Sequence, residues 1–150
     1  MKLLSVIVFL VLSTIAALHV YWAVGGLWPG GNERELIDTV IGDGAMTHMP
    51  PMMMTLVVAG LIFATALIAL VNGGVQFGPS WLVKIAAVGA GLVFLGRGVV
   101  GYFFESLAWA PVEPFATLNR LYYSPLCLAI GVAFFFLALR ARQHTVKVTL

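Results

Sequence analysis

The chain is predicted to be an all-α membrane protein, an antiparallel bundle of four transmembrane helices, on three observations. Of its 150 residues, 61% are hydrophobic and 9% charged, and the mean hydropathy is +1.04. A water-soluble domain of this length cannot hide so much apolar surface, so lipid must solvate much of it. The apolar residues fall in four continuous runs rather than in alternation, which selects helices over a membrane barrel. The charges gather at run ends and in loops, with Arg97 the conspicuous exception.

About 20 apolar residues in a helix cross a bilayer. The first run, Leu3–Val24, follows Lys2 and also has the look of a secretory signal, with Thr14 and Ala16 a passable cleavage pair. It continues beyond the length that a signal core needs, so it is read as a retained first span, residues 3–24. A loop follows. Its Gly25-Gly26 and Trp28-Pro29-Gly30-Gly31 are turn signals. Asn32 before Glu33-Arg34-Glu35 reads as a helix cap, and a short helix to Ile41 puts Leu36, Ile37, Val40 and Ile41 on one face, lying on the membrane surface or over the bundle mouth.

Pro50-Pro51 opens the second span, 52–71. The turn Asn72–Ser80 is tight and makes spans two and three antiparallel neighbours. Span three, 81–104, carries Ala87, Gly91 and Gly98 on one face, with Gly89 and Gly96 as further small surface that lets helices approach closely. In the third connection Pro114 opens a second short helix through Tyr123. Ser124-Pro125 is read as the cap and first residue of span four, Pro125–Leu139, extended by its flanks to about 125–142. The four spans make one domain, residues 1–150.

Lys2, Lys84, Arg140, Arg142 and Lys147 fall at one side if both termini lie together, and all six carboxylates fall in or beside the other two loops. The positive-inside rule then predicts both termini in the cytoplasm of a bacterial inner membrane, with both short helices interfacial on the outer side. One cysteine, Cys127, rules out an intrachain disulfide framework. No basic patch interleaved with aromatics is present, and nucleic-acid binding is not expected.

The candidate site is polar and sits toward the outer ends of the spans. A charge at the depth of Arg97 is costly and needs a named partner. His19, about 25 Å along its span, and Arg97, about 24 Å along its own, are expected at similar depth. Helical side chains lean toward their own N-terminus, which for Arg97 is away from the outer surface. Its partner is therefore expected from another segment, a lipid phosphate or an anionic ligand; Glu105, two turns on, is too far for a direct pair in a straight helix. Asn119 and Tyr123 approach from the third loop, in register with Cys127, while Trp22 and Gly98 flank the histidine and the arginine. The candidate ligand-binding set is His19, Trp22, Arg97, Gly98, Glu105, Asn119 and Tyr123. Each has a plainer reading too: an interfacial hydrogen-bonder, a phosphate grip, a packing glycine or an aromatic anchor.

The run His48-Met49-Pro50-Pro51-Met52 offers soft ligands suited to Cu(I), with His48, Met49 and Met52 the candidate set, although methionine at a span entry is more often apolar filler. His19 and His48 could in principle ligate haem axially, without any attachment motif to support it. No pattern fixes a cofactor.

His19-x-Tyr21-Trp22-Ala23-x-Gly25-Gly26, Arg97-Gly98-x-x-Gly101-Tyr102 and Asn119-Arg120-x-x-Tyr123-Ser124-Pro125-Leu126-Cys127 together resemble a bacterial membrane family known only as domain of unknown function 3995. The resemblance covers nearly the whole chain and implies a four-helix inner-membrane protein. It carries no activity, and the methionine run lies outside its pattern.

The expected function is a bundle that binds an anionic or carbonyl-bearing small amphiphile in an outward-facing polar pocket, with Arg97 on its head. One alternative is a small membrane enzyme using His19 or Glu105 with Arg97. Another is an accessory subunit that packs on membrane partners or on a second copy.

Overall fold

A computed structural model describes residues 2–73, 80–103 and 111–140, and the described residues are helical with no strand. In chain order they form α1 (Lys2–Ala23), α2 (Glu33–Val40), α3 (Met52–Asn72), α4 (Ser80–Phe103), α5 (Phe115–Leu118), a π-turn (Asn119–Tyr123) and α6 (Ser124–Arg140). Among the described residues four helical stretches are long and apolar enough to cross a membrane: Lys2–Ala23, Met52–Asn72, Trp81–Phe103 and Phe115–Leu139.

The bundle is two antiparallel pairs, α1 with α3 and α4 with α6, laid side by side. Small residues set both pairs. Ser5 near the start of α1 donates its hydroxyl to the Ala69 carbonyl near the end of α3, 2.7 Å away, and a Cβ on Gly73 would collide with Ser5. In the second pair, Gly91 lies under the Phe135 ring, Gly98 under Leu128, and Gly131 of α6 under Leu95. The helices interlock because each large side chain faces a residue with none. Gly89 and Gly96 point the other way, with open space where a Cβ would be. The glycine face expected from the sequence is thus the α4–α6 seam.

This asymmetry makes a contrast. Gly98→Val places new carbon about where Leu128 stands, 2.7 Å from its nearest methyl, and is expected to destabilise the protein by about 1–3 kcal/mol through overpacking. Gly96→Ala is expected to be neutral or to stabilise by about 0.5–1 kcal/mol, the ordinary helix gain. Thermal unfolding of the two variants in one detergent checks the order.

The two pairs share a core of Val8 and Leu12 (α1), Ala66 and Ala69 (α3), Ala87 (α4), and Ile130, Ala133, Phe134, Leu137 and Ala138 (α6). Phe134 is fully buried and stacks on Phe94 at 6.3 Å. These residues come from the first half of α1 and α4, the last half of α3, and α6 from Ile130 onward. This core cluster therefore lies toward the end of the bundle where α1 begins, while Arg97, Asn119 and Ser124 lie toward the other.

That second end is closed by the connections. Asn32 caps α2 as its sequence context predicts: its Oδ1 accepts from the Glu35 N–H at 2.9 Å, and its Nδ2 donates to Glu35 Oε1 at 2.7 Å. Leu36 and Ile37 are buried, 1% and 0% exposed, by the face the helix turns inward. The loop after α2 meets the start of α5, where the Val112 N–H donates to the Gly42 carbonyl at 3.0 Å. Gly42 has φ +78° and seats its α-carbon against the Phe115 ring, so both the conformation and the contact require glycine.

One expectation is corrected. Ser124-Pro125 does not restart the chain. Ser124 has helical angles, φ −67° and ψ −47°, and the helical path runs unbroken from Phe115 to Arg140. Pro125 has no N–H to give the preceding turn, and in a regular helix its ring would crowd the carbonyl of Leu121. The chain meets this by widening: the Ser124 N–H donates five residues back, to the Asn119 carbonyl, which makes the turn π rather than α. The apolar helical stretch that holds the expected fourth span therefore begins at Phe115 rather than Pro125.

Candidate functional site

The widened turn determines what lies next to Asn119. In an α-helix the residue stacked on it is four along, Tyr123; with an extra residue in the turn it is Ser124. The Ser124 hydroxyl donates to Asn119 Oδ1 at 3.2 Å, and both residues are buried, 0% and 2% exposed. Asn119 Nδ2 crosses to α4 and donates to the Gly101 carbonyl at 2.6 Å. That carbonyl lies in the last described turn of α4. Arg97, half-buried one turn earlier on α4, donates from Nη2 to the same Asn119 Oδ1 at 3.0 Å.

One amide thus serves two helices at once. Its oxygen can accept two bonds and does so, from a hydroxyl and a guanidinium; its nitrogen donates to the α4 backbone. The assignment of oxygen and nitrogen follows from the partners, because Arg97 can only donate and a carbonyl can only accept.

The direction of Arg97 differs from expectation. Its side chain does not lean back toward the start of α4; its guanidinium lies beside Gly101, four residues on. A Cβ at Gly101 would stand 2.7 Å from Arg97 Nη1 and would strike the Ser124 hydroxyl. Glycine at 101 is what opens this route, and it lets the charge reach toward the polar end of the bundle.

Tyr123, displaced from Asn119 by the wide turn, reaches the first loop instead. Its hydroxyl donates to the Thr39 carbonyl at 3.2 Å, and its ring packs against Phe115 at a centroid distance of 5.8 Å. It ties the α2 segment to the same turn that holds Asn119. Gly98 lies in the α4–α6 seam against Leu128, one residue from Arg97.

His19 and Trp22 are engaged elsewhere. His19 Nδ1 donates to the Ile15 carbonyl at 2.8 Å, and the ring leans on Trp22 at 5.1 Å. Trp22 Nε1 donates to the Trp28 carbonyl at 2.7 Å, folding the start of the first loop back over α1. The structure brings Arg97, Gly98 and Asn119 together and joins Tyr123 to them through the turn, but His19 and Trp22 form a separate group on α1. Glu105 lies outside the described residues. Ser124 and Gly101 belong to the cluster but not to the set expected from the sequence. The available signal was the five-residue spacing from Asn119 to Ser124 directly before a proline.

The methionine run is open. Met52, Met53 and Met54 are 53–68% exposed, and His48 Nδ1 lies 3.7 Å from Glu33 Oε2, whose other oxygen accepts the Met49 N–H at 2.6 Å. These contacts pin the loop end to α2. Among the described residues no three His, Cys, Asp or Glu side chains gather in a way that could hold a metal ion.

Fold and cluster together define a multi-pass membrane protein of four apolar helices, with a buried polar junction between the second helix pair. The chain belongs to the family described as protein of unknown function (DUF3995), whose model matches residues 12–134 and so includes every member of the junction. No curated protein and no solved structure matches it.

Proposed function

We infer that the protein binds the head of a small anionic or carbonyl-bearing amphiphile at Arg97, taken in from the surrounding membrane. The observation that carries this reading is the fixing of Arg97 by Asn119, itself buried and anchored to both Gly101 and Ser124. A guanidinium offers five donors in a planar fork that suits carboxylate, phosphate or carbonyl oxygen. With its Nη2 set by a rigid acceptor, it loses little further freedom when a ligand arrives, and that is how binding sites gain affinity. The π-turn supports the same reading, since single π-turns inserted into helices are frequent at functional sites.

We place both termini in the cytoplasm of a bacterial inner membrane, on the clustering of Lys2, Lys84, Arg140, Arg142 and Lys147. Arg97 then lies toward the outer leaflet, α2 lies at the outer interface with α5 entering the membrane from it, and the four spans act as a single domain. Single cysteines at Lys2 and Asp43, labelled from each side of intact cells, check the sidedness.

An enzymatic reading that pairs His19 with Arg97 has less support, because His19 is occupied with Ile15 and Trp22. An accessory role has one observation behind it: Gly89 and Gly96 present small surface outward, where another membrane helix could approach.

The test is extraction and mass spectrometry of the wild-type protein purified in mild detergent. About one amphiphile per chain with an acidic or carbonyl head is expected. Bulk lipids in the same proportions as the membrane would count against the reading.

A further inference from the structure

Arg120 is exposed on the π-turn, within the stretch Phe115–Leu139 that is long and apolar enough to cross a membrane. The turn divides its side chains: Asn119 and Ser124 are buried, whereas Leu121 and Tyr122 are 58% and 62% exposed and Leu126 is exposed below them. Arg120 thus heads an apolar surface on the outside of the bundle. Among the described residues no carboxylate pairs with it. Arg140, the last residue of α6, is the next charged residue in the chain. The helix between them is about 30 Å long, which is about the thickness of the hydrocarbon layer.

We propose that Arg120 is the seat of one phospholipid phosphate, in the leaflet at the α2 end of the bundle, with the lipid's chains lying over Leu121, Tyr122 and Leu126. With both termini in the cytoplasm this is the outer leaflet. Three arguments converge on this occupant. A guanidinium turned out of the bundle within a spanning stretch cannot rest against hydrocarbon, so it sits at the boundary and draws its partner from the lipid itself. The interval to Arg140 puts it at that boundary when Arg140 lies at the other one. Cα–Cβ bonds tilt toward a helix's own N-terminus, which here is the Phe115 end, so Arg120 leans toward the headgroups rather than the membrane centre. Its planar fork then takes two phosphate oxygens at once. A free phosphate offers the same oxygens but has no chains to lie on the apolar face below. The seat does not depend on the Arg97 reading, which concerns the buried side of the same turn.

The protein in dodecyl maltoside is titrated with phosphatidylglycerol, with diacylglycerol of the same chains, and with inorganic phosphate, and the rise in melting temperature is followed. Phosphatidylglycerol alone is expected to stabilise. Its affinity, read from adducts in native mass spectrometry, should fall about tenfold or more in Arg120→Gln. The same fall is expected in an Arg97→Ala background, which removes any lipid held by that arginine. In bilayers, nitroxides on Arg120→Cys and Leu126→Cys, each in a Cys127→Ala chain, should differ in depth by about 9 Å, with the first at the headgroup boundary. Equal affinity in Arg120→Gln, equal stabilisation by diacylglycerol or inorganic phosphate, or a nitroxide at position 120 as deep as at 126 would each overturn the proposal.

Discussion

Arg97→Lys is expected to release the bound amphiphile by roughly tenfold while the protein still inserts and folds. Lysine keeps the charge, so the comparison isolates geometry. The ammonium is a point donor on a flexible stem, and it cannot hold Asn119 and a second oxygen in one plane. Arg97→Ala removes the charge as well. Hydrogen bonds to charged groups are worth about 1.5–3 kcal/mol, which sets a loss of about 10- to 150-fold in ligand retention. Asn119 keeps its bonds to Gly101 and Ser124 in either variant, so the loss of ligand should exceed the loss of stability. Retention measured by extraction and melting temperature in detergent should therefore part company in both variants. If Arg97 serves only as a brace between helices, the two readouts will fall together.

Asn119→Leu is expected to act in the opposite manner, on stability first. Asn119 is 2% exposed and makes three hydrogen bonds, to Arg97, Gly101 and Ser124. Leucine is similar in size but takes from the buried Ser124 hydroxyl and the Gly101 carbonyl the side chain they bond to. Each such loss costs about 1–3 kcal/mol, and the joint effect is expected near 2–4 kcal/mol. Ligand retention should fall as well, because Arg97 loses the acceptor that aims it. Gly101→Ala is the companion variant. It removes no polar atom, yet its methyl takes the space beside Arg97 Nη1 and the Ser124 hydroxyl. Unfolding by titrated denaturing detergent, read by circular dichroism, should show both variants weakened and Gly101→Ala less so.

What could be read from the sequence depended on how local the determining physics was. The four apolar stretches and the Asn32 cap follow from hydropathy and from three-residue spacing, and both are present, although the fourth stretch starts earlier than expected. The glycine face of α4 was legible because helical period alone separates Gly91 and Gly98 from Gly89 and Gly96. The neighbour of Arg97 was legible only as a shortlist. Asn119 lies 22 positions away, and nothing local says which helix it will face. Pro125 misled because a proline after a serine usually starts a helix, whereas here the preceding turn widened and the helix continued. That widening exchanged Tyr123 for Ser124 beneath Asn119. The direction of Arg97 was missed for a related reason: the usual lean of helical side chains gave way to the empty space at Gly101.

The central claim is that Arg97, aimed by Asn119, grips the head of a membrane amphiphile. Native mass spectrometry of wild-type and Arg97→Ala protein, released from the same lipid, tests it most directly. A single adduct of defined mass on the wild type, absent from the variant at equal folded fraction, is the result predicted. The same adduct at the same occupancy on both proteins would contradict it.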